Sequence, residues 1–575
     1  MIRINLEECL SFLKTVFFFC AVIAFLIGIF ICFVPEHNTA RWWLSYTSFY
    51  FISALFLLWL VTLLSPDPKS QPSSYINFSS LLFTGIAILL TTTIFVMNPP
   101  RLRLHTDEVL LLGTSRTLYT EKTIHIPQDA VLSNNRLEII RTSLPFRPLL
   151  FSFLTNLVHR CKGYNFHNVF ILNFIGLSLL LILAGAFIGK HWGIAAGIAT
   201  QFAIVSHPII WHTASSGIAD IFHALFFFIS ALTLRKHLHT PSPRSIALLI
   251  LSLCLLGNIR FESIIFLFIT IPALLLFRRI SWEHVQSAKL IIVLTAVCSL
   301  PFFWQRSIFI DLPQIYGATI TNFSLEYFLK FFPISVSTFL SLDPSFLYYF
   351  TPLLTLGVTA IILLILKIIL NIKKTPLSKE NEFFLWLTIC VVLHQILICS
   401  FTGGFIGGYT RARYFMIEAI FLSTLATIFL FSYSKNLFLR IFLSITFPLL
   451  FIFQLHLAPE LQKEEIKGCP QATYFQAVYN LVHNLEPQKS LLVIDYPIEY
   501  ILRGWPSIHP KVFTTQTSSI KEAWDTHEYK AIYYIEKSKN NRQRAELKGD
   551  WTAKFLQTSM LSRNSFVTLY TLEPK

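Results

Sequence analysis

The sequence predicts an α-helical polytopic membrane protein with about thirteen transmembrane helices and a small extracytoplasmic α/β domain at its carboxyl end. Three observations predict it. The 575 residues are 54% hydrophobic and only 13% charged, with 56 phenylalanines and a mean hydropathy of +0.60, more apolar surface than a water-soluble chain keeps dry. Apolar runs of about twenty residues recur from residue 14 to residue 456, and each is long enough to cross a bilayer. After residue 456 the composition turns soluble, and alternating short apolar runs replace the long ones.

Taken in order, the expected spans are 14–34, 43–64, 78–97, 168–188, 192–210, 218–235, 245–258, 261–277, 289–305, 350–370, 383–401, 414–432 and 438–456. The first is too long for a signal-peptide core and reads as an anchor that stays. A charged "NIRFE" divides the two short runs at 245–277. The basic loops "RKHLHTPSPR" (235–244), "FRRISWEHVQSAK" (277–289), "KIILNIKKTPLSK" (367–379) and "YSKNLFLR" (433–440) all fall on one side of this count. Short loops rich in Lys and Arg face the cytoplasm. The carboxyl-terminal tail is then outside, and the net charge of +15 reads as membrane orientation rather than nucleic-acid binding. Nine scattered cysteines without a CxxC pair support neither a metal ribbon nor a disulfide scaffold.

This divides the chain into two extra amino-terminal helices (1–77), a membrane domain (78–456) with outer loops 98–167 and 306–349, and a soluble domain (457–575). In the last, "SLLVIDY", "KAIYYIE" and "SFVTLYTL" read as strands. "ATYFQAVYNLVHNL" and "KNNRQRAELK" read as helices.

Polar residues gather on the outer face. Loop 98–167 carries nine Lys/Arg against five Asp/Glu, and its segments "DEVLLLGTSRTL" and "LPFRPLLFSFLTNLVHR" have apolar faces suited to interfacial helices. Asp107 and Glu108 open the first of them; a carboxylate there suits a general base, or simply complements the dipole of a helix start. "SHPIIWHTASSGIADIFHALFFF" brings His207, Asp220 and His223 to the outer end of a span, where an ionisable residue is a functional candidate because its burial is costly. Their spacing does not indicate a metal, although a divalent ion is compatible with the histidines. "GNIRFES" supplies Arg260 and Glu262, as a local ion pair or as part of a site. "GGFIGGYTRARYFMIEAI" sets Arg411 and Arg413 at a helix start behind glycines, an arrangement suited either to an anion or to snorkelling at the interface.

With these residues in place, the chain resembles the GT-C superfamily of polyprenyl-phosphate-sugar-dependent glycosyltransferases, in its protein O-mannosyltransferase and lipid A aminoarabinose transferase-like branch. The resemblance spans residues 78–456. It rests on the acidic pair Asp107–Glu108 after "MNPPRLRLHT", on "FRPLLFSFLTNLVHR", on the helix opened by Asp220, on "LLGNIRFESIIFLF" and on "RARYFMIEAIFLSTLA". Two spans precede the acidic pair here beyond the family's usual one. The resemblance implies an inverting transferase that moves a sugar from a polyprenyl-phosphate carrier to an extracytoplasmic lipid, glycan or protein acceptor. Asp107 is then the base with Glu108 beside it, and Arg260, Arg411 and Arg413 hold the carrier phosphate. His207, Asp220, His223 and Glu262 are further polar candidates. No cofactor is required, no nucleic acid is expected, and the expected location is a bacterial inner membrane. A transporter or lipid flippase, whose charges belong near the bilayer midplane and whose halves repeat, is the competing class. A ligase using a diphosphate carrier is the competing enzyme, and an assembly subunit that has lost its chemistry is the non-enzymatic alternative.

Overall fold

The computed structural model describes residues 6–33, 37–65, 78–103, 106–134, 136–310, 324–340, 350–371, 378–400, 412–434, 436–468, 470–487, 489–538, 551–562 and 565–574. The chain forms two compact units. A helical unit comprises Met1–Arg101, Phe146–Phe151 and Phe170–Lys463; a sheet-containing unit comprises Leu102–Pro145, Ser152–Val169 and Glu464–Lys575.

Among the described residues of the helical unit, nine helices are long and apolar enough to cross a membrane, or ten if one bent pair counts as a single span. The bent pair, Ile194–Val205 and Pro208–Ala214, turns by 72°. Its cause is local: Pro208 cannot continue a helix but suits the first position of a new one. The Trp211 indole N–H donates to the Val205 carbonyl that the break leaves open. The three remaining expected spans lie on helix Leu6–Phe33, of 28 residues, and on the shorter apolar helices Pro243–Gly257 and Phe261–Leu276, the last two short of the ~20 residues a crossing needs. Helix Pro243–Gly257 is nonetheless well started, by a reciprocal capping pair between Ser242 and Ser245.

Burial separates centre from periphery. The apolar windows of Asp220–His239 and Arg413–Ser432 are each 78% buried, against 22% for Phe438–Leu457. The outer helices turn Phe17, Leu64, Phe78, Val96 and Phe438 outward, which is stable where lipid is the solvent. Inside, close approach of backbones holds the bundle. A Cβ on Gly357 would collide with the Leu422 backbone, so only glycine lets these two helices meet there.

One end of the helical unit collects basic loops. Arg279 makes two bonds to Glu382, of 2.9 and 2.6 Å, and Arg235 pairs with Glu380. The Lys379 ammonium donates to the His239 carbonyl at 3.2 Å. Three loops expected on the cytoplasmic side therefore meet. Asp220 begins the helix that Arg235 and His239 end. At 1.5 Å per residue this separates it from the basic loops by roughly 25–30 Å, about one bilayer core.

The sheet-containing unit is built on seven strands: β1 (Ile126–Ser133), β2 (Arg136–Ser143), β3 (Ser490–Val493), β4 (Ser507–Ile508), β5 (Ala531–Ser538), β6 (Trp551–Ser562) and β7 (Ser565–Pro574). Their order is β2-β1-β4-β3-β5-β7-β6. The centre, β4-β3-β5, is parallel, while the remaining neighbours are antiparallel. Period-two alternation divides the core. Leu492 and Ile494 pack with Tyr474, Val478 and Leu481 of helix Pro470–Val482, and Leu491 and Val493 pack with Phe513 and Ile520 on the other face.

The three strands expected after residue 456 are β3, β5 and β7, and the first expected helix is Pro470–Val482. The second, 539–548, lies outside the described residues. The outer loop 98–167 departs from expectation. Between its two helices runs the β1–β2 hairpin, turned at Asn134 with a φ of 52°, and this hairpin extends the carboxyl-terminal sheet. Buried Asp129 fastens it, accepting the His509 N–H at 2.5 Å and the Arg141 guanidinium. Nor is helix Thr106–Thr120 half exposed, as an interfacial helix would be: its residues from Glu108 to Ser115 are all buried. Gly113 lets it approach Ile126, Pro127 and Ile498. Of the second expected outer loop, 306–349, the described part includes helix Leu325–Leu340.

Candidate functional site

A buried knot of charge occupies the end of the helical unit opposite the basic loops. Asp220 is the first residue of Asp220–His239, where a carboxylate complements the helix dipole. Arg260 has extended backbone, φ −143° and ψ 129°, and caps the short turn Phe261–Ser263. Arg413 starts the turn that leads into Met416–Tyr433. These three segments converge. The Arg260 guanidinium donates through Nη1 to Asp220 Oδ1 and through Nε to Glu262 Oε1 at 2.5 Å. Arg413 Nη1 lies 3.5 Å from Asp220 Oδ2. The Tyr414 ring faces both cations, with centroid distances of 4.3 Å to Arg260 and 5.0 Å to Arg413. Asp220, Arg260 and Arg413 are all at least nine-tenths buried. Such charges are tolerable only when paired, so two carboxylates are matched here with two guanidinium groups.

A second polar layer lies one turn deeper. The His223 Nε2 and the Ser263 hydroxyl share a hydrogen bond. The His394 ring is 5.9 Å from that of His223, stacks on Phe266 at 5.5 Å, and shares a 2.7 Å hydrogen bond with Glu418 Oε1. Sequence reasoning named Asp220, His223, Arg260, Glu262 and Arg413, and the structure brings these five together. It missed Tyr414, Ser263, His394 and Glu418. A signal existed for the last two, since each is a lone ionisable residue inside an apolar run.

His207 belongs elsewhere. Its Nδ1 accepts the Thr351 N–H at 3.1 Å, which places the ring proton on Nε2, bonded to the Ser423 hydroxyl at 2.5 Å. Both nitrogens are thus spent on holding the helix break. Arg411 lies outside the described residues. Among the described residues no group of three His, Cys, Asp or Glu side chains is arranged to hold a metal ion.

Asp107 and Glu108 belong to the sheet-containing unit, in the first turn of Thr106–Thr120. Glu108 is fully buried, and its Oε2 accepts the Arg103 backbone N–H at 2.6 Å, fixing the chain as it enters the helix. Asp107 is half-buried. The helix is seated on Leu150–Lys162: the Ser152 hydroxyl donates to the Leu111 carbonyl at 2.9 Å. Ser115 shares a 3.2 Å hydrogen bond with His159 Nε2, whose other nitrogen meets the Asn168 amide at 2.9 Å. Burial holds the His159 pKa down to about 4.

No family model matches the sequence, and no curated protein matches it. Solved structures similar to this one include ArnT from Cupriavidus metallidurans bound to undecaprenyl phosphate, at 12% identity and a TM-score of 0.49, covering 85% of this chain and 97% of that one. Another is the oligosaccharyltransferase AglB from Archaeoglobus fulgidus with an inhibitory peptide and a dolichol-phosphate, at 11% identity and a TM-score of 0.43, covering 80% and 70%. The arabinosyltransferase EmbB from Mycobacterium smegmatis is similar at 11% identity and a TM-score of 0.30, covering 72% and 43%.

Proposed function

We propose that this chain is an integral membrane glycosyltransferase of the GT-C type. It moves a sugar from a polyprenyl-phosphate carrier to an extracytoplasmic lipid, glycan or protein acceptor. The observation that carries the reading is the Asp220–Arg260–Glu262–Arg413 cluster. Asp220 and Arg413 open the most enclosed helices, and Arg260 and Glu262 reach them from the turn before Ile264–Leu276, at the end away from the basic loops. Charges buried at that depth need a task to offset their cost, and paired guanidinium groups suit a phosphate at a membrane surface.

In this reading Arg260 is held in place by Asp220 and Glu262, while Arg413, with Arg411 beside it in sequence, takes the carrier phosphate. As the bond from the anomeric carbon to the phosphate oxygen breaks, negative charge grows on the leaving phosphate and the guanidinium groups stabilise it. Asp107 accepts the proton of the attacking hydroxyl or amine. Attack from the face opposite the leaving phosphate inverts the anomeric carbon. Glu108, committed to the Arg103 backbone, supports the segment that presents Asp107. The resident membrane is a bacterial inner membrane, with the sheet-containing unit outside the cytoplasm.

The test is transfer of labelled sugar from a polyprenyl-phosphate donor by the full chain in liposomes, alongside glycan profiling of a deletion strain. Labelled product that disappears in the Arg413→Ala and Asp107→Asn variants is expected. An unaltered envelope glycan profile together with no transfer in liposomes would overturn the reading.

A further inference from the structure

The sheet-containing unit has a groove of about 520 Å³, open to solvent and lined by Phe166, Tyr479, Tyr500, Arg503 and Trp505 among others. That size falls within the usual range of small-molecule sites. Neither Asp107 nor Arg413 lines it. Its construction follows from one helix end. Helix Pro497–Leu502 stops at Arg503 and Gly504. Gly504 has a φ of +90°, a conformation that suits glycine after a helix. The reversal points Arg503 outward. Tyr164 then donates its hydroxyl to the Leu502 carbonyl at 3.1 Å, pinning the 163–167 segment against the same helix end.

The Arg503 guanidinium is oriented rather than loose. It lies over the Phe166 ring at 4.7 Å and the Tyr479 ring at 5.4 Å, and its Nη2 donates to Glu499 at 3.2 Å. No other hydrogen-bond acceptor meets this guanidinium among the described residues. The Tyr479 ring is 45% exposed, which leaves an aromatic surface at the rim. Tyr500 is the odd member: its side chain is 1% exposed, yet its hydroxyl has no hydrogen-bond partner among the described residues. A buried unpaired hydroxyl costs on the order of 1–3 kcal/mol. Burial also raises the Tyr500 pKa well above the ordinary phenol value, so the group remains an O–H donor at neutral pH.

The chemistry of this lining selects among ligands. A free phosphate finds one arginine whose charge Glu499 already meets. An acyl chain gains nothing from Arg503 or from the Tyr500 hydroxyl. A pyranose ring has an apolar C–H face for an exposed aromatic ring and hydroxyls that both donate and accept, so it uses every one of these groups.

We propose that this groove is a carbohydrate-binding site, holding a pyranose unit against Tyr479 with its hydroxyls on Arg503 and Tyr500. The site goes beyond the transfer reaction and stands or falls separately from it. The experiment presents the full chain, in nanodiscs, to a printed panel of neutral and acidic oligosaccharides, with inorganic phosphate and a random-sequence peptide pool as competitors. The best glycan is then titrated in solution. Binding is expected to weaken about tenfold in Tyr479→Ala and Arg503→Ala and several-fold in Tyr500→Phe. Tyr479→Ala is a rim substitution that leaves the fold intact, so it remains decisive if either of the other variants misfolds. No glycan bound, binding unchanged in Tyr479→Ala, or displacement by phosphate or peptide would each overturn the proposal. Loss of sugar transfer with glycan binding retained would count against the transferase reading alone.

Discussion

In the helical unit, Asp220 and Glu262 come from different segments and share the guanidinium of Arg260. In the sheet-containing unit, Asp107 and Glu108 are neighbours in sequence, yet Glu108 turns inward onto a backbone N–H while Asp107 stays half-buried. The difference follows from what each setting offers a carboxylate. Asp220 also opens a helix, but deep in an apolar bundle a carboxylate keeps its charge only against a cation, and Arg260 brings one from another segment. At the entry to a helix the backbone has unpaired N–H groups, so one carboxylate of a pair is absorbed locally. Adjacency in sequence therefore separates roles here, and distance in sequence joins them.

The comparison breaks most visibly at Asp107. Asp107→Asn is expected to lower sugar transfer by about 10²–10⁴-fold, with Glu108→Gln staying within about tenfold of the parent chain in the same assay. Equal losses would erase the division between the two. Next comes the helical cluster: Arg260→Ala takes from Glu262 the cation it is bonded to, leaves Asp220 with Arg413 alone, and should cost about 3–5 kcal/mol. This is read as a lower unfolding temperature in detergent that Arg260→Lys partly restores. An unchanged melting temperature would mean that the cluster is not a paired unit.

A third effect is confined to the sheet-containing unit. The His159 pKa is lowered from 6.5 to about 4, so in that window the unfolded chain binds the proton and the folded chain does not. Its contribution is complete above pH 6.5 and is lost as pH falls toward 4, up to about 3 kcal/mol. Hydrogen exchange in helix Thr106–Thr120 should accelerate over this range, and His159→Asn should flatten the dependence. Smallest is the local cost of Glu108→Gln, about 1–2 kcal/mol, visible as faster exchange of the Arg103 amide with little change elsewhere.

The membrane architecture was legible because lipid imposes a length and an apolar content on each span, and every expected run from 43–64 to 438–456 is helical, 192–210 as a bent pair. Three of the four basic loops expected on one side meet through Arg235, Arg279 and Lys379. The β1–β2 hairpin was missed although "VLSNNRLEII" has a turn signal between two apolar runs; a basic loop beside a membrane span invited an interfacial reading instead. His394 and Glu418 were missed because their partnership is purely spatial. Each stands out in sequence only as a lone ionisable residue in an apolar run, and the pair exists once one helix delivers His394 to Glu418 of another.

One feature of the sheet bears on how the protein is made. β1 lies against β4, with Ala130 opposite Ser507, and Asp129 takes the His509 amide across 380 residues of intervening chain. A ribosome adding ~5–20 residues per second needs on the order of 20–80 seconds to cover that interval. Throughout that time the β1 edge of the hairpin, later covered by β4, is open, an edge of the kind that pairs with other chains. A nascent or truncated product ending before residue 490 is thus expected to require a holding chaperone, and its abundance in the cell should fall sharply compared with the full chain.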